Sequence, residues 1–263
     1  MTLLAVAFLF PIFLVLMNSF KNKLYISDAP FALPNSDTFS GMYNYVNGIQ
    51  KTGLLVAAGR SAFITICSVI VIVLLTSMAA WWITRVTCKL STVLYYLFVF
   101  AMIVPFQMVM FTLSKVTDFL HLGNMFGIIP VYLGFGAGLS LFMFCGFIKA
   151  IPISLEEAAM IDGCTPVQTY FKVIVPMLRP TMITVAILNA MWIWNDYLLP
   201  TLVLDSEKPT IPMAVQYLRG GYGSIDMGAM MAMLVLAILP IIVFYLTCQK
   251  YIIKGVAAGA VKG

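Results

Sequence analysis

The sequence predicts an all-α integral membrane protein with six transmembrane helices. Its 263 residues are 62% hydrophobic and only 10% charged, with a mean hydropathy of +1.01. Uncharged runs of this length need a bilayer or a very large core to cover them. Runs at 61–84, 90–114, 122–148 and 227–249 are each long enough to cross roughly 30 Å of hydrocarbon at about 1.5 Å per residue. Two further spans are less uniform, since 2–19 contains Pro11 and 180–204 is interrupted by Asp196. The expected helices are about 2–20, 61–84, 91–114, 125–148, 181–204 and 227–249, within one domain covering 1–263. Between and after them lie a loop at 150–180, a loop at 205–226 and a tail at 250–263.

The first apolar segment has no basic n-region, and no small-x-small cleavage site is followed by a secreted domain, so it reads as a membrane helix and not a signal peptide. It starts at Met1 without a basic stub, which leaves a trimmed start open. Residues 21–60 are polar and broken by Pro30, Pro34, Gly41, Gly48 and Gly53. They are expected to form an external connector with a short surface helix near 43–49. The second span ends at Trp81 and Trp82, which suit a membrane interface. The third carries Pro105 and Gln107 in mid-span, and a proline there removes a backbone donor and bends the helix. The fourth holds Gly134, Gly136, Gly138 and Gly146, whose missing side chains allow close helix contact. In 205–226, Pro209, Pro212 and the run Gly220-Gly221-Tyr222-Gly223 mark a mobile or closely approached backbone.

Several functions are excluded. The net charge of +5 is dispersed over many loops and not clustered with aromatics, so nucleic acid is not expected as a partner. The five cysteines are odd in number and lack paired metal-ligand spacing, and His121 is the only histidine. No P-loop pattern occurs, so any energy from ATP must come through another subunit. Lysines and arginines divide eight against seven between the two sides, too nearly even to set orientation.

The polar loop Glu157–Pro176, EAAMIDGCTPVQTYFKVIVP, stands out from this background. Ser154-Leu155-Glu156-Glu157 fits a capping box with Ser154 as N-cap, and Thr165-Pro166-Val167-Gln168 repeats the pattern with proline at the first helical position. Two short helices joined at Gly163-Cys164 are expected. Ala158 and Ala159 leave room for another protein to approach, and Gly163 permits a tight turn. Glu157 has two compatible readings: it caps its helix, or its carboxylate also meets a basic residue of a partner.

Glu157, Ala158, Ala159, Gly163 and Pro176 together resemble the EAA signature of ATP-binding-cassette importer permeases. Val173 and Val175 depart from the more common Ile and Leu but stay apolar. Residues 189–200, which include Trp194-Asn195-Asp196-Tyr197 and Pro200, look like the corresponding stretch of maltose-type carbohydrate importers. The ending 259–263 is similar to that of their second, smaller permease subunit. The resemblance covers nearly the whole chain. It implies a type I importer permease fold with a cytoplasmic coupling helix, in a bacterial or archaeal cytoplasmic membrane. It also implies a second permease subunit, two ATPase subunits that use ATP and magnesium, and an extracytoplasmic sugar-binding protein, with membrane lipid around the spans and no cofactor bound by this chain.

Under the resemblance, the EAA residues grip the ATPase. Gln216, Tyr217, Leu218, Arg219, Gly220, Gly221 and Tyr222 are candidates for contact with the binding protein, and Lys262 and Gly263 for contact with the ATPases. Gln107, Asn189, Trp192, Asn195 and Asp196 are candidates for the translocation path or its gate. Asp196 would be costly facing lipid, so it either bonds Asn195 or a neighbouring helix, or lines the path. The alternative is an ion-coupled secondary transporter, which should show an internal repeat and intramembrane charges. The sequence shows no clear repeat, and that reading leaves the EAA loop unexplained.

Overall fold

A computed structural model of the chain describes residues 2–218 and 226–260, with side chains as far as residue 251. The elements are α1 (Thr2–Asn18), α2 (Lys23–Asp28), α3 (Tyr43–Thr52), α4 (Leu54–Arg85), α5 (Lys89–Ile103), α6 (Phe106–Phe119), α7 (Ile128–Ile148), α8 (Ser154–Ile161) and α9 (Pro166–Thr169). A π-helical turn (Tyr170–Ile174) follows, then α10 (Val175–Asn195), α11 (Leu198–Val203), α12 (Ile211–Tyr217) and α13 (Met227–Ala260). Helix is the only element able to satisfy its own backbone along a single apolar segment. Among the described residues the one strand-like contact is an isolated bridge between Lys21 and Phe39.

Two expected spans, one loop and the tail differ from expectation. Among the described residues, four stretches are long and apolar enough to cross a bilayer: Leu54–Arg85, Ile128–Ile148, Pro166–Asn195 and Met227–Tyr251. The span expected at 91–114 is two helices, α5 and α6, bent by 106°, and counting them as one span gives up to five. The break is the proline: Val104 (φ −69°, ψ 119°) and Pro105 (φ −63°, ψ 136°) are both extended, because the ring displaces the preceding residue from helical geometry. α1, at 17 residues, is apolar but shorter than the others.

The span expected at 181–204 is likewise divided. Its helix begins upstream, at Pro166, and stops at Asn195, with α11 starting anew at Leu198. The loop expected at 205–226 contains α12, and the tail expected from 250 continues α13 as far as Ala260. The polar connector holds its surface helix, α3, in the expected place.

Contacts group the chain into two compact units where the sequence reading has one domain. One comprises Met1–Ala62 and Asp196–Leu246. Its organiser is Asn44, 3% exposed, whose amide nitrogen donates to Ser19 O (2.8 Å), Lys21 O (2.7 Å) and Ser40 Oγ (2.9 Å). Gly228, at the start of α13, lies so close that a Cβ there would sit 2.5 Å from Asn44 Oδ1. Lys51 of α3 pairs with Asp226 (2.6 Å), whose other oxygen accepts from Ala229 N and so caps α13. Burial pushes the Asp226 carboxyl up, but the hydrogen bonds from Lys51, Ala229 N–H and Asn47 outweigh it and hold the pKa below the usual carboxylate value.

The other unit comprises Phe63–Asn195 and Thr247–Gly263. α7 packs against α5 and α10 around a core that includes Val73, Leu141, Phe144, Ile148, Ile174 and Leu178. Of the four α7 glycines, two are required by proximity. A Cβ at Gly138 would meet Phe98 O at 2.8 Å, and one at Gly136 would meet Ile72 and Asn189 at 2.7 Å. Gly134 and Gly146 face open space.

Asn44→Leu should leave buried carbonyls unpaired and destabilise the chain by about 1–3 kcal/mol, measured as a lower unfolding temperature in detergent. For Asp226 the folded pKa is depressed, so its stabilisation is present above the ordinary carboxylate range and is lost as pH falls through the folded value. Unfolding temperatures of wild type and Asp226→Asn should therefore differ at neutral pH and converge in strong acid.

Candidate functional site

The loop at 150–180 is folded throughout. α8 begins without the capping box expected of Ser154. The residue at the N-cap is Ile153, in helical geometry (φ −63°, ψ −28°) and without a side-chain cap. The amides of Glu156 and Glu157 both bond Ile153 O (2.9 and 3.1 Å), so the first turn closes through backbone alone and Ser154 already lies inside it. At the other end, Gly163 N bonds Met160 O (3.0 Å) and Cys164 N bonds Ala159 O (2.9 Å). This paired arrangement is a Schellman motif, and it needs the left-handed φ of +84° that Gly163 supplies. The second capping box forms as expected: Thr165 Oγ1 accepts from Gln168 N (3.3 Å) and Gln168 Oε1 accepts from Thr165 N (2.8 Å), with Pro166 opening α9.

The EAA residues divide between two faces of α8. Glu157, Ala158 and Gly163 are exposed, as is Pro176 in α10, whereas Ala159 is buried. The Glu157 carboxylate makes no hydrogen bond or ion pair among the described residues. Around it the outer surface is largely apolar, with Leu155, Met160, Ile161, Val167 and Phe171 exposed, Ile161 at 85%.

The sequence reading missed the buried partner of this loop. Glu156, 2% exposed, accepts from Trp81 Nε1 (2.9 Å) and from Arg85 Nε (2.7 Å), both on the last turns of α4. Arg85 also pairs with it through its terminal nitrogen (2.7 Å), which donates to Ile151 O as well (2.9 Å). The loop's second arm reaches the same helix, where the Tyr170 hydroxyl meets Ser77 Oγ (2.7 Å) and the Trp81 ring lies 5.6 Å from the Tyr170 ring. Glu156 and Ala159 are three apart and share a helix face, but the sequence reading placed Ala159 on the open side, and only the structure shows that face turned inward.

The path candidates are placed less uniformly. Asn189 is buried and donates to Ser140 Oγ (3.1 Å) and Val185 O (2.9 Å), which packing of α10 on α7 accounts for. Trp192 is 39% exposed and meets Tyr132 edge to face at 5.5 Å. Asn195 is exposed and donates to Met191 O (2.7 Å), closing α10. Asp196 Oδ1 accepts from Leu198 N (3.0 Å) and Leu199 N (3.4 Å), so this carboxylate caps the helix that follows the break and does not interrupt a continuous span. Gln107 is exposed in the first turn of α6. Gln216 and Tyr217 end α12, with Tyr217 46% exposed, and Leu218 is buried. Arg219, Gly220, Gly221 and Tyr222, like Lys262 and Gly263, lie outside the described residues.

Residues 72–258 match the family described as binding-protein-dependent transport system inner membrane component. The chain is similar to the probable starch degradation products transport system permease protein AmyC of Thermoanaerobacterium thermosulfurigenes, 38% identical over 98% of this chain and 93% of that protein. Similarity to the multiple sugar-binding transport system permease protein MsmG of Streptococcus mutans is 37%, over 100% of this chain and 95% of that one. The melibiose/raffinose/stachyose import permease protein MelC of Bacillus subtilis is 29% identical over 99% and 94%. A crystal structure of a bacterial ABC transporter involved in the import of the acidic polysaccharide alginate superimposes with a TM-score of 0.78, covering 95% of this chain and 92% of that chain. At 22% identity that likeness carries the fold.

The neighbouring glutamates should behave oppositely. Glu156→Ala leaves the Arg85 guanidinium, 17% exposed, without its carboxylate, which costs about 1–3 kcal/mol, whereas the exposed Glu157→Ala should change the unfolding temperature little.

Proposed function

Because this chain belongs to the binding-protein-dependent transport system inner membrane component family, we propose that it is the second, smaller permease subunit of an ATP-driven oligosaccharide importer. It is a non-catalytic transmembrane subunit of a cell-membrane transporter, and members of its family work with another permease, an ATPase and a substrate-binding protein. The finer assembly proposed is a heterodimer with a sister permease, two ATPase subunits that hold ATP and magnesium, and an external sugar-binding protein. No cofactor is assigned to this chain itself. The sugar class rests on full-length similarity to permeases named for starch degradation products and multiple sugars.

One observation carries the reading of the loop: α8 presents Glu157, unpaired among the described residues, and a small Ala158 on an exposed face beside Met160 and Ile161, closed by a glycine turn. Such a face suits a cleft in the ATPase, where Glu157 meets a basic residue and Ala158 permits close approach. Closure of the ATPase dimer then displaces α8. ATP can drive transport this way only because open and closed dimers contact the loop differently. An ion-coupled mechanism leaves this face without an occupant.

Of the path candidates, Gln107, Trp192, Asn195 and Asp196 are proposed to line or gate the route, with Trp192 offering a half-exposed ring for stacking on sugar. Asn189 is proposed to fix the position of α10 from within. Gln216 to Tyr222 are proposed for the binding protein, and Lys262 and Gly263 for the ATPases.

Gly163→Pro cannot adopt the observed φ of +84° and loses the bond to Met160 O, so the turn should fail. In proteoliposomes, Gly163→Pro and Glu157→Ala should each lower sugar uptake by roughly tenfold or more while the chain stays inserted. Wild-type uptake by both variants would overturn the reading.

A further inference from the structure

The geometry points to Arg85, Glu156 and Trp81 as positioning residues that make α8 and the last turns of α4 move as one body, so that displacement of the loop enters the membrane domain through α4. The inference rests on the coupling role proposed for the α8 face and adds the route that the displacement takes.

Ser77, Trp81 and Arg85 recur every fourth residue and therefore line one face of α4. That single stripe touches both arms of the loop. Arg85 and Trp81 hold Glu156 of α8, while Ser77 and Trp81 hold Tyr170 of the π-helical turn. Arg85 also bonds Ile151 O, in the segment leaving α7, so the start of the loop is fixed at the same point. These contacts are withdrawn from water: the side chains of Glu156 and Arg85 are 3% and 17% exposed, and Tyr170 is 1% exposed.

Burial decides how the loop responds to a pull. Two exposed groups separate at little cost, because water replaces each lost bond. Sliding α8 away from α4 instead withdraws a largely buried carboxylate from two N–H donors and separates it from the guanidinium that pairs with it. Moving α8 and α4 together breaks none of these bonds. Glu157, on the opposite face, is left for the partner, so the adjacent glutamates divide the work: the outer one receives the displacement and the inner one passes it on.

The test uses the complete transporter in proteoliposomes, with sugar uptake measured per ATP hydrolysed. Arg85→Met combined with Glu156→Leu removes both charges together, so no lone charge remains buried. Trp81→Phe removes one donor and keeps a ring against Tyr170. The combined variant should assemble and hydrolyse ATP, yet its uptake per ATP should fall about tenfold, with a fall of about threefold for Trp81→Phe. A merely structural role would reduce the amount of complex and leave this ratio unchanged. Wild-type uptake per ATP in the assembled combined variant overturns the inference. If that variant does not assemble, a wild-type ratio in Trp81→Phe overturns it instead. Gly163→Pro separates the two levels: uncoupling there with intact coupling in the Arg85 and Trp81 variants sinks the route through α4 alone, while intact coupling in Gly163→Pro sinks the reading of the loop.

Discussion

A backbone amide or carbonyl in hydrocarbon finds no water, and each one left unpaired costs several kcal/mol. The architecture of this chain follows from that constraint. Its apolar segments are helical, and hydroxyls within them turn back on their own helix, as Thr76 does to Ile72 O (2.6 Å), Ser77 to Val73 O (2.6 Å) and Ser140 to Gly136 O (2.7 Å). Where helix fails, the break is built from groups able to finish the pairing. The proline at 105 has no amide to satisfy, and Asp196 accepts from the first amides of α11. Even the tight turn after α8 returns two amides to α8 carbonyls.

The same scarcity of water governs the charges. Lys21 is 1% exposed and donates to Ala29 O (2.8 Å), and burial pushes its pKa below the usual lysine value. Glu156 is buried only because Arg85 and Trp81 saturate it. Asp226 is held by Lys51, Asn47 and a helix N-terminus. Glu156 and Asp226 join segments distant in sequence, so these few polar contacts specify which elements meet, while apolar surface supplies most of the adhesion.

The two faces of one short helix contrast. The inward face of α8, with Glu156 and Ala159, is rooted in a core that includes Ile151, Tyr170 and Ile174. The outward face, with Glu157, Ala158 and Ile161, has no covering among the described residues. The coupling role proposed for this helix needs both properties: an exposed side for the partner and a buried side that does not slip.

Composition and local chemistry by themselves determined the membrane class, the helical backbone, the glycine turn after α8 and the Thr165–Gln168 cap, because each depends on residues adjacent in the chain or on the summed cost of wetting apolar surface. Local rules also flagged Pro105 as a disruption, since its ring acts on its immediate neighbour. They misassigned Ser154, because whether a serine caps a helix depends on where the preceding backbone turns, and here Pro152 and Ile153 had already begun the helix. Tertiary structure alone decided that Glu156 and not Glu157 is the buried carboxylate, that Arg85 serves it, and that Asp196 caps a new helix. Arg85 and Glu156 are 71 residues apart, and Ser77 and Tyr170 are 93 apart. No periodicity reports such a pairing. It exists only once α4, α7 and α10 pack and bring distant polar groups to one place that water does not reach.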